Sequence, residues 1–249
     1  MSGDIISVSG LNIEYGDFVL FDNLNFKVRE KDIFIIMGAS GCGKSSLLKV
    51  LTGLITPNRG KILIDNKEFS GKSFEEKKEI MKNCGVMYQS GALFSSMTLN
   101  ENVMLPLELY SKYSAKEIKE IASYKLSCVG LAGFDDFYPS EISGGMKKRA
   151  ALARSLALDP KIVYCDEPSA GLDPISSKQL DDLILELNHT LNTTFVIVTH
   201  ELSSIFAIGN NSIFLDREIK NISATGNPKE LLRNPPNEEI RKFLTRGKE

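Results

Sequence analysis

Asp32-Ile33-Phe34-Ile35-Ile36-Met37 runs straight into Gly38-Ala39-Ser40-Gly41-Cys42-Gly43-Lys44-Ser45, and no other feature of the 249-residue sequence constrains the fold so tightly. A continuous apolar run without polar alternation suits a strand buried on both faces of a parallel sheet. The segment behind it fits G-x-x-x-x-G-K-[ST] without a departure, and Leu47, Leu48 and Leu51 then open a helix. In a strand, glycine loop and helix joined this way, successive backbone N–H groups converge on the β- and γ-phosphates of a nucleotide, at the positive end of the helix dipole. On that reading Lys44 supplies a point charge to the phosphates and Ser45 a hydroxyl ligand to Mg²⁺.

A metal-bound triphosphate also needs a carboxylate at the end of a neighbouring strand. Lys161-Ile162-Val163-Tyr164-Cys165 reads as a second buried strand, and Asp166-Glu167 follows it. Adjacent residues at a strand end diverge, so Asp166 can hold Mg²⁺ through water while Glu167 polarises the attacking water. A third run, Thr194 to Thr199, ends at His200, whose neutral imidazole could donate a hydrogen bond to the γ-phosphate. Ser143-Gly144-Gly145 stands at the start of another helix, which runs on through Ala150 to Ala157, and makes a second anion-binding N-terminus. One nucleotide does not need two cradles from one chain, which points to two chains sharing each nucleotide.

Composition narrows the class. The formal charge of −2 gives no global basic field for nucleic acid or anionic lipid. No apolar stretch approaches the roughly 20 residues needed to span a bilayer. Met1-Ser2-Gly3-Asp4 lacks the positive-then-apolar pattern of a secretory signal, so the cytoplasm is the expected location. Cys42, Cys84, Cys128 and Cys165 form no C-x-x-C pair and read as small buried thiols. The opening, with Ile6, Val8 and Leu11 and then Phe18 to Val28 across Tyr15-Gly16-Asp17, predicts an antiparallel β layer. Ser114-x-x-Glu117 is a capping box that predicts a helix, and Glu238 to Lys248 a short surface helix entered through Pro235-Pro236. His189 falls on the polar face of a helix expected over Leu180 to Leu191.

Taken in order, these residues resemble the ATP-binding subunit of ABC transporters over essentially the whole chain. Gly38 to Ser45 match the Walker A loop, Ile162 to Asp166 the Walker B strand and Glu167 the catalytic glutamate. Gln89 matches the Q-loop, Ser143-Gly144-Gly145 the core of the signature, Ser169 to Asp173 the D-loop and His200 the switch histidine, while Tyr15 falls where the family stacks an aromatic ring on adenine. The resemblance implies a P-loop α/β fold in a single domain: a RecA-like parallel-sheet core with an N-terminal antiparallel β subdomain over 1–89 and 142–249, and a helical subdomain inserted at 90–141. It implies that Gly38, Ala39, Ser40, Gly41, Cys42, Gly43, Lys44, Ser45 and Ser46 hold ATP, with Ser45, Gln89 and Asp166 around Mg²⁺. Two copies would close head to tail, Ser143, Gly144 and Gly145 of one facing the γ-phosphate on Lys44 of the other. Glu167 would act as general base, His200 would stabilise the γ-phosphate, and Asp173 would communicate across the interface. Gln89 would link the metal site to a cleft that receives a coupling helix from a membrane permease.

Within the family, Ser143-Gly144-Gly145-Met146, with methionine where most members carry glutamine, is followed by Arg149-Ala150-Ala151-Leu152-Ala153-Arg154. Together with Gln89-Ser90-Gly91-Ala92-Leu93-Phe94 this is similar to the Mla-type ATPases. Those power phospholipid movement with a permease of the MlaE type and an MCE-type substrate-binding protein, from the cytoplasmic side of the inner membrane. Lipoprotein release, small-solute import and mechanical signalling of the FtsE kind are the competing readings. ABC ATPases of ribosomes and DNA repair carry paired cassettes or a long coiled-coil insert, neither of which this sequence contains.

Overall fold

The computed structural model describes residues 3–247, so Met1 and Ser2 of the N-terminal reading and Lys248 of the expected tail helix lie outside it. In chain order the elements are β1 (Asp4–Tyr15), β2 (Phe18–Arg29), β3 (Ile33–Gly38), α1 (Lys44–Leu51), β4 (Arg59–Ile64), β5 (Lys67–Glu68) and α2 (Phe74–Met81). Then come β6 (Cys84–Met87), α3 (Leu99–Tyr110), α4 (Ala115–Cys128), α5 (Gly144–Ser155), β7 (Ile162–Asp166) and α6 (Pro174–Leu191). The chain closes with β8 (Thr194–Val198), α7 (Leu202–Ile208), β9 (Asn211–Asp216), β10 (Asn221–Thr225), α8 (Pro228–Arg233) and α9 (Glu238–Thr245). These elements fall into two compact units, one of residues 3–80 and 194–247, the other of 81–193.

In the first unit, β2, β1, β4 and β5 form an antiparallel sheet in that order. Val8, Leu11 and Ile13 of β1 are buried, opposite Phe26, Leu24 and Phe21 of β2. Alternating burial of this kind holds a half-buried strand in register. The β4–β5 connection is Asp65-Asn66, both at positive φ (50° and 60°), the geometry of the tight turns that match strand twist. A second set of strands runs β10-β9-β3-β8, with β3 parallel to both β8 and β9. All of β3 and all of β8 are buried, as the unbroken apolar runs require. Helix α1 packs on β3 and β8, and α9 docks Ile240 and Leu244 inward while Phe243 meets Phe214 of β9 edge-on at 5.1 Å.

In the second unit β6 and β7 pair in parallel. Helices α3 and α4 each begin with a reciprocal capping box, Thr98 with Glu101 and Ser114 with Glu117, and both pack on α5. The fully buried Asn102 accepts from Phe94 N–H at 2.8 Å and donates to the carbonyls of Phe94, Met97 and Thr98, which pins the 94–98 loop to α3. Residues 90–141, expected to be helical, contain α3, α4 and a short 3₁₀ turn at Pro139–Glu141.

Candidate functional site

The loop from Gly38 to Ser45 is shaped by its glycines. Gly38, Gly41 and Gly43 have φ of 149°, 76° and 99°. A Cβ on Gly38 would lie 2.4 Å from Leu215 O, and one on Gly43 would lie 2.6 Å from Phe21 Cζ, so both are fixed by space as well as by conformation. Lys44 is buried and folds back across the loop, its Nζ donating to Gly38 O at 2.9 Å and Ala39 O at 3.0 Å. Helix α1 starts at Gly43 with no side-chain cap and no acidic residue in its first turn. An N-terminus left without a cap by its own side chains, beside a held ammonium, suits a polyphosphate. Burial pushes the Cys42 thiol up against the pull of Lys44, so the loop adds no anion of its own.

His200 reaches the same edge. In the β3–β8 register Ile36 pairs Val198, and Gly38 and His200 each come two residues further along. Parallel neighbours place such residues at one carboxyl edge, where open α/β sheets hold their ligands. The His200 ring is about half exposed, with Nε2 3.8 Å from Glu201, which Arg246 also approaches at 3.6 Å. Ser45 is exposed, Ser46 half-buried, and Tyr15 stands exposed at the β1–β2 turn beside Gly16, whose φ is 60°.

In the second unit the same logic brings Gln89 and Glu167 together. Met87 pairs Cys165 across β6 and β7, and Gln89 and Glu167 each lie two residues beyond. Gln89 is exposed and Asp166 half-buried. Glu167 is buried and sits at φ 46°, an unusual conformation for a residue with a Cβ. Ser143 caps α5, its Oγ accepting from Met146 N–H at 3.2 Å. A Cβ on Gly144 would sit 3.9 Å from Leu172 and one on Gly145 3.5 Å from Ser176, ordinary contacts, so packing within the chain does not demand glycine at either position. Asp173 caps α6, its Oδ1 accepting from Ile175 and Ser176 N–H at 3.0 Å each. Bonding to Ser176 holds its carboxyl below the usual range. Ser45, Gln89 and Asp166 offer a hydroxyl, an amide and a carboxylate, the hard oxygen set that fits Mg²⁺.

Two residues escaped the sequence reading. Lys148 is buried in α5, donating to Gln89 O and, at 3.5 Å, towards Glu167 O; Arg154 donates to Gly91 O at 2.9 Å and Ala92 O at 2.8 Å. Desolvation lowers the Lys148 ammonium pKa against the raising effect of Cys165 and Glu167. The signal was present: Lys148, Ala151, Leu152 and Ser155 follow helical spacing and are all buried, although Lys147-Lys148-Arg149 looks like a solvated basic run.

Comparison with known proteins follows the same lines. The family model described as ABC transporter matches residues 21–170. The chain is 40% identical over 242 residues to the probable ribonucleotide transport ATP-binding protein mkl of Mycobacterium leprae, covering 97% of this chain and 69% of that protein. It is 39% identical over 235 residues to the intermembrane phospholipid transport system ATP-binding protein MlaF of Haemophilus influenzae, covering 94% of this chain and 88% of that protein. Among solved structures, cbiO1 of Clostridium perfringens, part of the transporter complex cbiONQ, superposes with a TM-score of 0.85 at 29% identity over 98% of this chain and 95% of that one. A dimeric ATP-binding cassette in a post-hydrolysis state bound to ADP and Pi gives 0.80 at 28% identity, over 89% of this chain and 98% of that one.

Proposed function

The chain belongs to the ABC transporter family as one of its ATP-hydrolysing subunits, and on that premise we propose that it powers phospholipid transport of the Mla type from the cytoplasmic face of the inner membrane. The observation that carries the ATPase chemistry is the uncapped start of α1 beneath the Lys44 ammonium, at the strand edge where His200 also emerges. In this reading Lys44 and the N–H groups of residues 38–46 hold the phosphates and Tyr15 stacks on the base. Glu167 takes the proton of the attacking water as the bond to the leaving ADP oxygen breaks, and His200 donates to the γ-phosphate. Mg²⁺ held by Ser45, Gln89 and Asp166 supplies neutralising charge to the phosphates. Glycine at 144 and 145, not required by the chain's own packing, leaves room for the nucleotide of a second copy to approach the start of α5. Asp173, beside that contact, carries the closed state between copies.

No helix among the described residues is long and apolar enough to cross a membrane. The partners in this reading are a second copy, an MlaE-like permease and an MCE-type substrate-binding protein, with no nucleic acid. The phospholipid assignment rests on MlaF, of which the chain spans 88% at 39% identity. Small-solute import is the second reading, favoured by the 40% identity to mkl. Two measurements test the whole. Glu167→Gln should bind ATP and accumulate as a dimer, and monomers persisting at saturating ATP and Mg²⁺ would refute the shared site. Reconstituted with its permease, the chain should hydrolyse ATP faster in phospholipid-loaded vesicles, whereas stimulation by ribonucleotides alone would overturn the lipid assignment.

A further inference from the structure

Lys148 presents a cost that packing alone does not explain. An ammonium taken out of water gives up its hydration, a cost offset only where its donors are satisfied, and the neighbouring positions Ala151 and Leu152 show that alkyl side chains fill this face of α5 well. The lysine instead reaches past them to two backbone carbonyls. Those carbonyls belong to Gln89 and Glu167, which emerge from adjacent parallel strands two residues beyond the paired Met87 and Cys165.

The surroundings are arranged around that bridge. Arg154, further along α5, holds Gly91 O and Ala92 O, so the loop after Gln89 is tied to the helix at both ends. Gly91 has φ 75°, and a Cβ there would come within 3.3 Å of Ala151 Cβ, which seats the loop directly on α5. Glu167 keeps its φ of 46°, and a strained non-glycine residue persists only where its neighbours over-determine it. Ala170 N–H on its carbonyl at 3.1 Å is one such constraint, and Lys148 is another, from outside the turn.

We infer that Lys148 is a positioning residue for ATP hydrolysis: by holding the backbones of Gln89 and Glu167 to the helix that opens with Ser143-Gly144-Gly145, it sets the geometry of the two side chains together. The inference rests on the proposed roles of Glu167 and Gln89. A shift of α5 is transmitted through the ammonium to both residues at once, and a shift of the 89–92 loop reaches Glu167 by the same route.

The test uses the purified full chain with four variants: Lys148→Met, Lys148→Arg, Gln89→Ala and the double variant Lys148→Met/Gln89→Ala. Misplacing a reacting group by about 1 Å costs on the order of 10²-fold, so Lys148→Met should lower kcat about 10- to 100-fold while KM moves less than about threefold. Lys148→Arg, which keeps the charge and the donors, should recover most of the rate. Because Lys148 acts through its partners, the double variant should be no slower than the slower single one. Wild-type kcat in Lys148→Met, or fully additive losses in the double variant, would overturn the inference. If Lys148→Met does not fold, Lys148→Gln takes its place, keeping one donor for Gln89 O and carrying the same expected split between kcat and KM. Glu167→Gln separates the two layers: undiminished hydrolysis in it refutes the reading of the site itself, whereas its inactivity beside a fully active Lys148→Met refutes only the positioning role.

Discussion

Gly145→Ala separates what the fold needs from what the site needs. Gly145 lies in the first turn of α5, with no positive φ among its dihedrals, and the added methyl would rest 3.5 Å from Cβ and Oγ of Ser176. That is ordinary van der Waals contact, so no overpacking penalty arises. Glycine costs a helix roughly 0.5–1 kcal/mol relative to alanine, so the variant should be as stable as the wild type or gain up to about that amount. For a chain of this size that corresponds to a rise in Tm of about 0–4 °C. ATP turnover should move the other way. If a nucleotide on a second copy approaches the N–H groups at the start of α5, the methyl holds it off, and a displacement of about 1 Å costs on the order of 10²-fold in rate. Calorimetric melting and steady-state hydrolysis on the same preparation decide the matter. A stable Gly145→Ala protein that turns over ATP at the wild-type rate would refute the claim that this glycine exists for an incoming ligand, and a Tm well below wild type would refute the packing argument.

Other outcomes follow from the same geometry. Lys44→Ala removes an ammonium able to make at least two charge-assisted bonds worth about 1.5–3 kcal/mol each, so ATP affinity by calorimetry should fall on the order of 10²-fold or more; unchanged affinity would sink the phosphate-loop assignment. Asp173 has its carboxyl held low by bonding to Ser176 and Ile175. Its folded pKa lies below its unfolded one, so its stabilisation is complete above the ordinary carboxylate pKa and disappears as pH falls through the lowered value. Asp173→Asn keeps the helix cap and loses the titration, so its acid unfolding limb should be shallower than wild type, and superimposable limbs would count against the charge on that cap.

How far the sequence showed the fold depended on whether an element's signal was local. The runs Ile33–Met37 and Phe195–Val198 are strands because every position is apolar, and the structure buries each of them. The box at Ser114 and Glu117 caps α4 with both reciprocal bonds in place. The same box at Thr98 and Glu101 starts α3, but Pro106 inside that helix removes one donor and argues locally against continuation, and packing on α4 and α5 overrides it. Helix α6 begins at Pro174, ahead of the apolar spacing at Leu180, because Asp173 caps it and Pro174 is preorganised for the first turn. The pairing of β4 with β5 depends on the turn between them and that of β9 with β3 on a partner remote in sequence, so no single window of sequence displays either pairing.

The site divides along a similar line. The proposed phosphate cradle is written in glycines and a lysine next to one strand, and loop, charge and helix start are all contiguous. The relation of Gln89 to Glu167 is not, because 77 residues of chain lie between them and the register of β6 on β7 brings them level. What ties them is a side chain from a third place, on a helix whose basic residues look solvated from their order alone. A buried lysine facing carbonyls is recognisable only when the helix is wound and its inner face known, since Lys147 and Lys148 are chemically alike and only one of them points inward. The residues proposed to touch the substrate are therefore selected by residue type and spacing, whereas the groups that hold them in place are chosen by where a helix face happens to meet two strand ends. Substitutions at Lys148 and Arg154 probe that second kind of residue, and their effects should track the geometry of the 89–92 loop rather than the affinity of the phosphate loop for ATP.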